Sequence, residues 1–198
     1  LNEKGNDEIR IIEPGRRLAI PENNTTNAFA LFGQASYELI DRLRLTGGLR
    51  YSYEKKDFGY RVLLNGNQVD AGQPKSSWTA WTPKIGIDYD LADDVMAYAS
   101  ATRGFKSGGF QLGDGRPFLP EYVWSYEVGL KGAVGPLSFT SSLFYNEYQD
   151  QQVTTQVPAV GGIASFVDNV GKSTIYGAEF EGSLYLTQNL TANFAVGY

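Results

Sequence analysis

Residues 121–131, with the sequence EYVWSYEVGLK, alternate between two kinds of side chain. The even positions are all large and apolar: Tyr122, Trp124, Tyr126, Val128 and Leu130. The odd positions include the charged residues Glu121, Glu127 and Lys131. A period of two is the side-chain period of a β-strand. This stretch therefore predicts a strand with one apolar face and one polar face.

Seven further stretches alternate in the same way. Together with the first they predict eight strands, at about 27–39, 43–56, 78–90, 95–104, 121–131, 137–149, 172–186 and 190–198. The gaps alternate between short turns and long loops, and the long loops are 57–77, 105–120 and 150–168. Residues 1–26 are predicted to form a loop that includes a short strand at Ile9–Ile12, and Asn65-Gly66-Asn67 a hairpin tip. Tight turns at one end and long loops at the other are typical of a transmembrane β-barrel.

The faces opposite the apolar ones carry many charges: Arg44, Arg50, Glu54, Glu127, Lys131, Glu179 and Glu181. The dry core of a soluble sandwich would hold such unpaired ions at a cost of several kcal/mol each, whereas a water-filled or plugged lumen accommodates them. We expect Glu179 and Glu181 to pair there with Arg or Lys on neighbouring strands. In the strand at 95–104 both faces are small or apolar, and we expect Met96 and Tyr98 to point outward.

Aromatic residues cluster near the predicted strand ends: Tyr37, Tyr51, Tyr53, Tyr89, Tyr122, Trp124 and Tyr145. Such rings form girdles at the two interfaces of membrane barrels. Pro83 lies within the predicted strand 78–90 and cannot donate a ladder hydrogen bond, so it requires a bulge or a strand end. The predicted fold is all-β: a transmembrane antiparallel β-barrel with meander topology.

The composition excludes several classes of function. The 198 residues contain no cysteine and no histidine, which removes thiol catalysis, Cys/His metal sites and every histidine-based triad. The net charge of −5, without a basic stripe, argues against nucleic-acid binding. No apolar run approaches the ~20 residues of a membrane helix. We therefore predict no enzyme, no cofactor and no nucleic-acid partner.

Short motifs along nearly the whole chain from about Thr26 resemble those of TonB-dependent outer-membrane receptors, in the middle-to-late part of their barrel. They are residues 30–34 (ALFGQ), 45–51 (LTGGLRY), 81–84 (WTPK), 98–100 (YAS), 103–110 (RGFKSGGF), 121, 124–127 (WSYE), 129–131 (GLK), 144–145 (FY) and 176–179 (YGAE). Each motif is short, and their order and spacing together are specific. Residues 103–110 are most similar to the siderophore or iron-complex receptors of this family.

The resemblance implies a barrel of 22 strands around an N-terminal plug that contacts TonB. Residues 1–198 would then be part of one such barrel domain, with about eight strands of a larger barrel and no plug. The implied location is the outer membrane of a Gram-negative bacterium, crossed many times and surrounded by membrane lipid. The implied partners are an extracellular ligand, such as a ferric siderophore, and the TonB complex acting through a plug outside this chain.

The glycine-rich loop at 105–120 is the candidate binding segment. Positive side chains and rings near its tip are suited to an anionic metal chelate through charge and ring contacts. The candidate ligand-binding residues are Arg103, Phe105, Lys106 and Arg116, with Phe110 and Phe118 nearby. The alternative is a mobile loop whose glycines only permit turns. No catalytic residue and no metal ligand is predicted.

Two other hypotheses remain open from the sequence. A complete eight-stranded barrel with a structural or adhesion role is favoured by the C-terminal alternation Leu190, Ala192, Phe194, Val196 and Tyr198, which resembles an assembly signal of outer-membrane proteins. An outer-membrane lipid hydrolase is disfavoured because no histidine is available as a base. Pairing between the first and last predicted strands would support the small barrel, and an open sheet would support a part of a larger one.

Overall fold

A computed structural model shows the chain as one long antiparallel sheet, described for residues 1–13, 15–159 and 162–198. Its strands are β1 (Asn2–Glu13), β2 (Arg16–Ile40), β3 (Leu43–Leu64), β4 (Asn67–Gly72), β5 (Lys75–Ala92), β6 (Val95–Lys106), β7 (Gly109–Phe110), β8 (Pro117–Phe118), β9 (Glu121–Val134), β10 (Leu137–Ala159), β11 (Gly162–Thr187) and β12 (Leu190–Gly197). The sheet order is β1-β2-β3-β5-β6-β9-β10-β11-β12, with β4 paired to β3 and with β7 and β8 in a separate pair. This order is the predicted meander.

All eight predicted strands are present, and several are much longer than predicted. Residues 57–77, expected to be a loop, form the end of β3, the strand β4 and the start of β5. Residues 150–159 and 162–168 extend β10 and β11, and residues 2–13 pair with 16–27 as a hairpin. These loop predictions were wrong because the extensions carry no continuous apolar stripe on the outer face. In β3 the alternating apolar side chains Phe58, Tyr60 and Val62 lie on the inner face instead.

Of two local predictions about turns and breaks, the one for the hairpin tip is confirmed. Leu64 pairs with Asn67 across a two-residue turn, with φ of +50° at Asn65 and +83° at Gly66. A tight hairpin turn favours Asn-Gly because both positions require positive φ. The ladder between β5 and β6 ends at the pair of Lys84 and Thr102, one residue from Pro83. The predicted bulge or strand end at Pro83 was wrong: Pro83 lies in the middle of β5, opposite Leu49 in an unbroken ladder, next to the point where pairing with β6 ends.

Cross-strand pairs assign every residue of the sheet to one of two faces. One continuous row of pairs is apolar: Tyr37, Leu45, Ile87, Ala99, Val128, Leu143 and Ala178. The adjacent row is polar or small: Glu38, Arg44, Asp88, Tyr98, Gly129, Ser142, Glu179 and Gly197. We call the first the outer face and the second the inner face. The predicted charged residues lie on the inner face.

The predicted facing of Met96 and Tyr98 was wrong. Tyr98 pairs with Asp88 and Gly129 on the inner face, and its hydroxyl donates to Glu127 Oε1 at 2.6 Å. Met96 pairs with Asp90 and Lys131 on the same face. The outer face of β6 instead carries the alanines at 97, 99 and 101. The prediction assumed that the larger side chains of this strand face lipid, whereas its small residues face outward.

Glu179 and Glu181 lie on the inner face as predicted, opposite Ser142 and Thr140. The prediction that each pairs with a cation was wrong, because no Lys or Arg nitrogen of the described residues lies within 4.0 Å of either carboxylate. The inner face is open enough for the two carboxylates to stay solvated.

Aromatic residues of the outer face form two groups. Tyr37 and Tyr89 lie near the short turns, whereas Tyr51, Trp81 and Trp124 lie toward the long hairpins. Tyr89 and Trp81 are eight residues apart on β5, about 26 Å of strand, comparable to the ~25 Å apolar band of a membrane barrel. No helix of the described residues is long and apolar enough to cross a membrane, a result that concerns helices alone.

The sheet is open, and this contradicts the complete eight-stranded barrel. Within the described residues β1 pairs only with β2 and β12 pairs only with β11. Both edges therefore present unpaired backbone groups, which lipid cannot satisfy.

We predict that the isolated 198-residue chain aggregates in detergent because of these two edges. Size-exclusion chromatography and heat-modifiability on SDS gels test this. A monodisperse, heat-resistant species would contradict it.

A second prediction concerns Gly129, which pairs directly with Tyr98. A Cβ at Gly129 would lie 2.7 Å from the Tyr98 ring and would collide with the Ser141 carbonyl oxygen. We expect Gly129→Ala to destabilise the complete gene product by about 1–3 kcal/mol through overpacking, measured by urea unfolding in detergent. Gly47→Ala is the control, since a Cβ there meets nothing within 4 Å. Equal stability of the two variants would refute this account.

Candidate functional site

The connection between β6 and β9 folds back against the inner face, and we call residues 107–120 the inner loop. On one side Glu22 Oε1 accepts a bond from the Gly113 amide at 2.7 Å, and Lys56 Nζ donates to Gly108 O at 2.9 Å. On the other side Gln111 exchanges two bonds with the backbone of Val167, at 2.5 and 2.9 Å. The inner loop therefore bridges from β2 and β3 to β11.

Aromatic packing holds the inner loop to β3 and β5. The Phe110 ring lies 5.7 Å from Phe58 and 6.1 Å from Trp78, between centroids, and Lys56 Nζ lies 5.8 Å from the Trp78 ring. Phe58 is only 5% exposed and is one of the few buried apolar residues in the described chain. Ring pairs and a cation over a ring each add stabilisation beyond area burial. The small core of this sheet thus lies beneath the inner loop.

Amide side chains fix the far end of the inner loop. Asn169 Oδ1 accepts from the Leu119 amide at 2.8 Å, and Asn169 Nδ2 donates back to Leu119 O at 3.0 Å. Gln152 Nε2 donates to Ser107 O at 2.9 Å and to Leu119 O at 3.0 Å. Ser107 also donates to Glu54. Both ends of the loop are therefore tied to the hairpins that flank it.

Glu22 on β2 carries a buried carboxylate that contacts the inner loop from the inner face. Glu22 is 6% exposed, and its Oε2 has no hydrogen-bond partner among the described residues. Burial raises the pKa of Glu22, and the nearby charge of Asp7 raises it further, while the bond from Gly113 opposes the shift. The carboxyl therefore takes up a proton more readily than an exposed glutamate.

Two cavities lie on the described part of the sheet, one mainly on each face. The upper cavity, about 850 Å³, lies among the long hairpins, and most of its lining residues belong to the outer face: Asn6, Glu8, Pro21, Asn23, Gly59 and Arg61. The lower cavity, about 720 Å³, is lined by residues that include Ala28, Arg50, Ser52, Glu54, Thr82, Lys106 and Ser107. Glu54 in the lower cavity is paired with Lys56, Oε1 to Nζ at 3.1 Å. Arg50 and Lys106 have no carboxylate within 4.0 Å among the described residues, so the lower cavity is positive.

Three of the four candidate residues from the sequence line the lower cavity, and Arg116 does not. Lys106 lies on the inner face and lines the lower cavity. Arg103 and Phe105 line the lower cavity where β6 is no longer paired with β5, although the register places their side chains on the outer face, beside Tyr122. Arg116 lies in the inner loop and is ion-paired with Asp114, Nε to Oδ2 at 2.5 Å.

Sequence analysis missed most of the residues that build the site. The alternation of apolar and polar residues in the predicted strand 43–56 placed Arg50 correctly on the inner face. The sequence did not show that Trp78 and Phe58 belong to the site, because their role depends on the inner loop folding back over them. No group of three or more acidic, His or Cys residues in the described chain is arranged to hold a metal ion.

A curved wall of antiparallel strands with an apolar outer face, a charged inner face and a loop folded inward defines part of a membrane-type β-barrel. The chain belongs to the TonB-dependent receptor family: the family model "TonB dependent receptor-like, beta-barrel" matches residues 4–198. Members of this family are transport receptors and not enzymes. They are outer-membrane proteins of Gram-negative bacteria, and the location of this chain is inferred from the family.

Known relatives extend far beyond the length of this chain. The pesticin receptor of Yersinia pestis is 25% identical over 162 residues, which are 79% of this chain and 23% of that protein. The metal-pseudopaline receptor CntO of Pseudomonas aeruginosa is 28% identical over 174 residues, covering 87% of this chain and 24% of that protein. The chain thus spans about a quarter of these relatives.

Solved structures show the same fold. The ferric yersiniabactin uptake receptor FyuA from Yersinia pestis superposes with a TM-score of 0.79 at 23% identity, over 99% of this chain and 30% of that one. The copper transporter OprC superposes with a TM-score of 0.71 at 18% identity, over 100% of this chain and 38% of that one. At these identities the likeness establishes the fold alone.

We predict that Glu22 makes the attachment of the inner loop depend on pH. Because its pKa is raised in the folded state, the folded loop gains stability as pH falls through that raised value and loses it as pH rises. Glu22→Gln keeps an acceptor for the Gly113 amide but removes the charge. Hydrogen exchange at the Gly113 amide, corrected for intrinsic rate, should depend on pH in the unaltered protein and not in Glu22→Gln.

The exposed Glu3→Gln variant is the control and should retain the pH dependence. A pH dependence that persists in Glu22→Gln would assign the effect to another group.

Proposed function

We propose that this chain forms part of the wall and ligand-binding face of an outer-membrane receptor for TonB-dependent uptake of a ferric siderophore or a similar metal chelate. Residues 1–198 are part of a single barrel domain, and the contact with TonB is made by a plug outside these residues. The relatives support this class of ligand, since they include a ferric-pyoverdine receptor of Pseudomonas that is 31% identical over 125 residues and the metal-pseudopaline receptor.

The positive lower cavity is the observation that carries the proposal. Arg50 and Lys106 face the same cavity without carboxylate partners, and Arg50 is held by a bond from Nε to Ser52 Oγ at 3.0 Å. Ferric chelates of siderophores commonly carry negative charge, and a guanidinium beside an ammonium is suited to bind oxygen ligands of that kind. The inner loop covers the cavity on one side and so limits access from the long-hairpin end.

Among the candidates from the sequence, Lys106 is assigned to direct contact with the chelate. Phe105 and Arg103 support the strand from its other face, and the charge of Arg116 is engaged by Asp114. The binding set therefore becomes Lys106 together with Arg50, two residues that lie on β6 and β3.

Removing both positive charges should weaken binding of the chelate. In the complete gene product we expect Arg50→Gln with Lys106→Gln to lower affinity by about 10- to 100-fold, the range for losing charged hydrogen bonds. A siderophore-deficient strain grown on a panel of ferric siderophores first identifies the ligand, and fluorescence quenching then gives Kd. Lys55→Gln, an exposed lysine on the outer face of β3, is the matched control.

Two results would contradict the proposal. Affinity that is unchanged in the double variant would remove the lower cavity from ligand binding. Expression of the parent gene that does not respond to iron starvation, together with growth on no ferric siderophore of the panel, would remove iron chelates as the cargo.

A further inference from the structure

A furrow on the outer face runs along β6. Its floor is formed by Ala99 and Ala101, and its walls are side chains of β5 and β9 with contributions from the strands behind them: Leu45, Ile85, Ile87, Tyr126, Val128, Leu143 and Tyr145. The volume is about 630 Å³, and the surface is almost entirely apolar. The furrow exists because one strand presents methyl groups between two strands that present large side chains.

Arg103 lies beyond the upper end of this furrow, and it also lines the lower cavity. It lies two residues beyond Ala101 on the same face, opposite Trp124, and its guanidinium is 4.4 Å from the Tyr122 ring. Its contact with protein oxygen is weak: Nη1 lies 3.4 Å from Trp81 O. Nε is buried without a partner among the described residues. A guanidinium with five donors is therefore left largely unsatisfied at the level of the aromatic girdle.

No protein anion neutralises Arg103. Among the described residues no carboxylate lies within 4.0 Å of it. On the outer face Glu147 lies on β10, one strand beyond Trp124, so the indole separates the two charges. A charged side chain at the edge of an apolar band is costly unless it is paired. Within the described residues the charge of Arg103 is therefore met by the Tyr122 ring and the Trp81 carbonyl but by no anion.

The outer face has a positive bias at this same level. Among the described residues, eight cations lie on the outer face beyond the girdle, namely Lys4, Arg10, Arg17, Lys55, Arg61, Lys75, Arg103 and Lys172, against the four anions Glu8, Asp57, Glu147 and Asp168. Asp57 is already engaged by Lys75, with 3.8 Å between Oδ1 and Nζ. In a barrel whose long hairpins are extracellular, this level faces the headgroups of the outer leaflet. Basic side chains at headgroup level attract anionic lipid.

We propose that Arg103 and the furrow together bind one phosphorylated lipid of the outer leaflet, with a phosphate on Arg103 and an acyl chain along Ala101 and Ala99. Arginine binds phosphate through two parallel N–H donors, which supplies the missing hydrogen bonds. The furrow contributes shape rather than hydrophobic driving force, because the chain is surrounded by hydrocarbon in either state. The site depends on the outer-membrane location but not on the identity of the transported chelate.

Native mass spectrometry of the complete gene product tests this with two probes, bisphosphorylated lipid A and the same lipid after enzymatic dephosphorylation. We expect the phosphorylated probe to bind about tenfold more tightly, and Arg103→Gln to abolish that preference. Arg103→Lys should retain part of it. Lys172→Gln, an outer-face cation away from the furrow, is the matched control and should leave the preference unchanged.

A second variant tests the acyl chain separately from the phosphate. Ala99→Leu fills the furrow without changing charge, and we expect it to weaken both probes while Ala35→Leu, at an outer-face position remote from the furrow, does not. Heat-modifiability confirms folding of each variant. Equal binding of the two probes, or an unaltered preference in Arg103→Gln, would show that lipid associates with this face only as bulk membrane. Either result would overturn the proposal. A change of oligomeric state in Ala99→Leu with lipid binding intact would assign the furrow to a second copy of the chain.

Discussion

The backbone ladder of the sheet is the constraint on which the rest of this structure depends. In a hydrocarbon environment every N–H and C=O must be paired within the protein, so strands cannot slip or separate freely. Since side chains alternate with a period of two, a continuous ladder fixes the face of each residue across β3 to β11. A slip of one residue would exchange Val128 for Glu127 on the outer face.

Glycine–aromatic pairs hold this register at several points. Tyr98 pairs with Gly129, Phe144 with Gly177, and Phe194 with Gly182, and in each pair the ring lies where a Cβ of the glycine would be. A ring over a glycine covers backbone that would otherwise be exposed and leaves no room for a displaced register. The first two pairs lie on the inner face and the third on the outer face, so glycine is required by close approach on both sides of the wall.

The sequence predicted those strands that have a continuous stripe of apolar side chains facing lipid. The strands around Tyr51, Trp124 and Phe180 have one oily and one polar face, and their positions and facing were correct. The extensions of β2, β3, β10 and β11 lack a continuous apolar stripe on the outer face, and in β3 the apolar side chains Phe58, Tyr60 and Val62 lie on the inner face. The site was predictable only in part: Arg50 follows from alternation and Lys106 was named for its charge in the loop, whereas the contacts of Glu22 and Phe110 depend on a loop that folds across strands distant in sequence.

Strand β6 shows how one segment serves two environments. Lys106 turns toward the cavity under the inner loop, while Arg103, three residues earlier, turns toward the girdle. Because three is an odd number of residues, alternation sends the two charges to opposite sides of the wall. A basic motif in a barrel strand is therefore not one site, and its net charge says little about the ligand. The charge proposed to bind the chelate and the charge proposed to bind lipid are separated only by the thickness of the sheet.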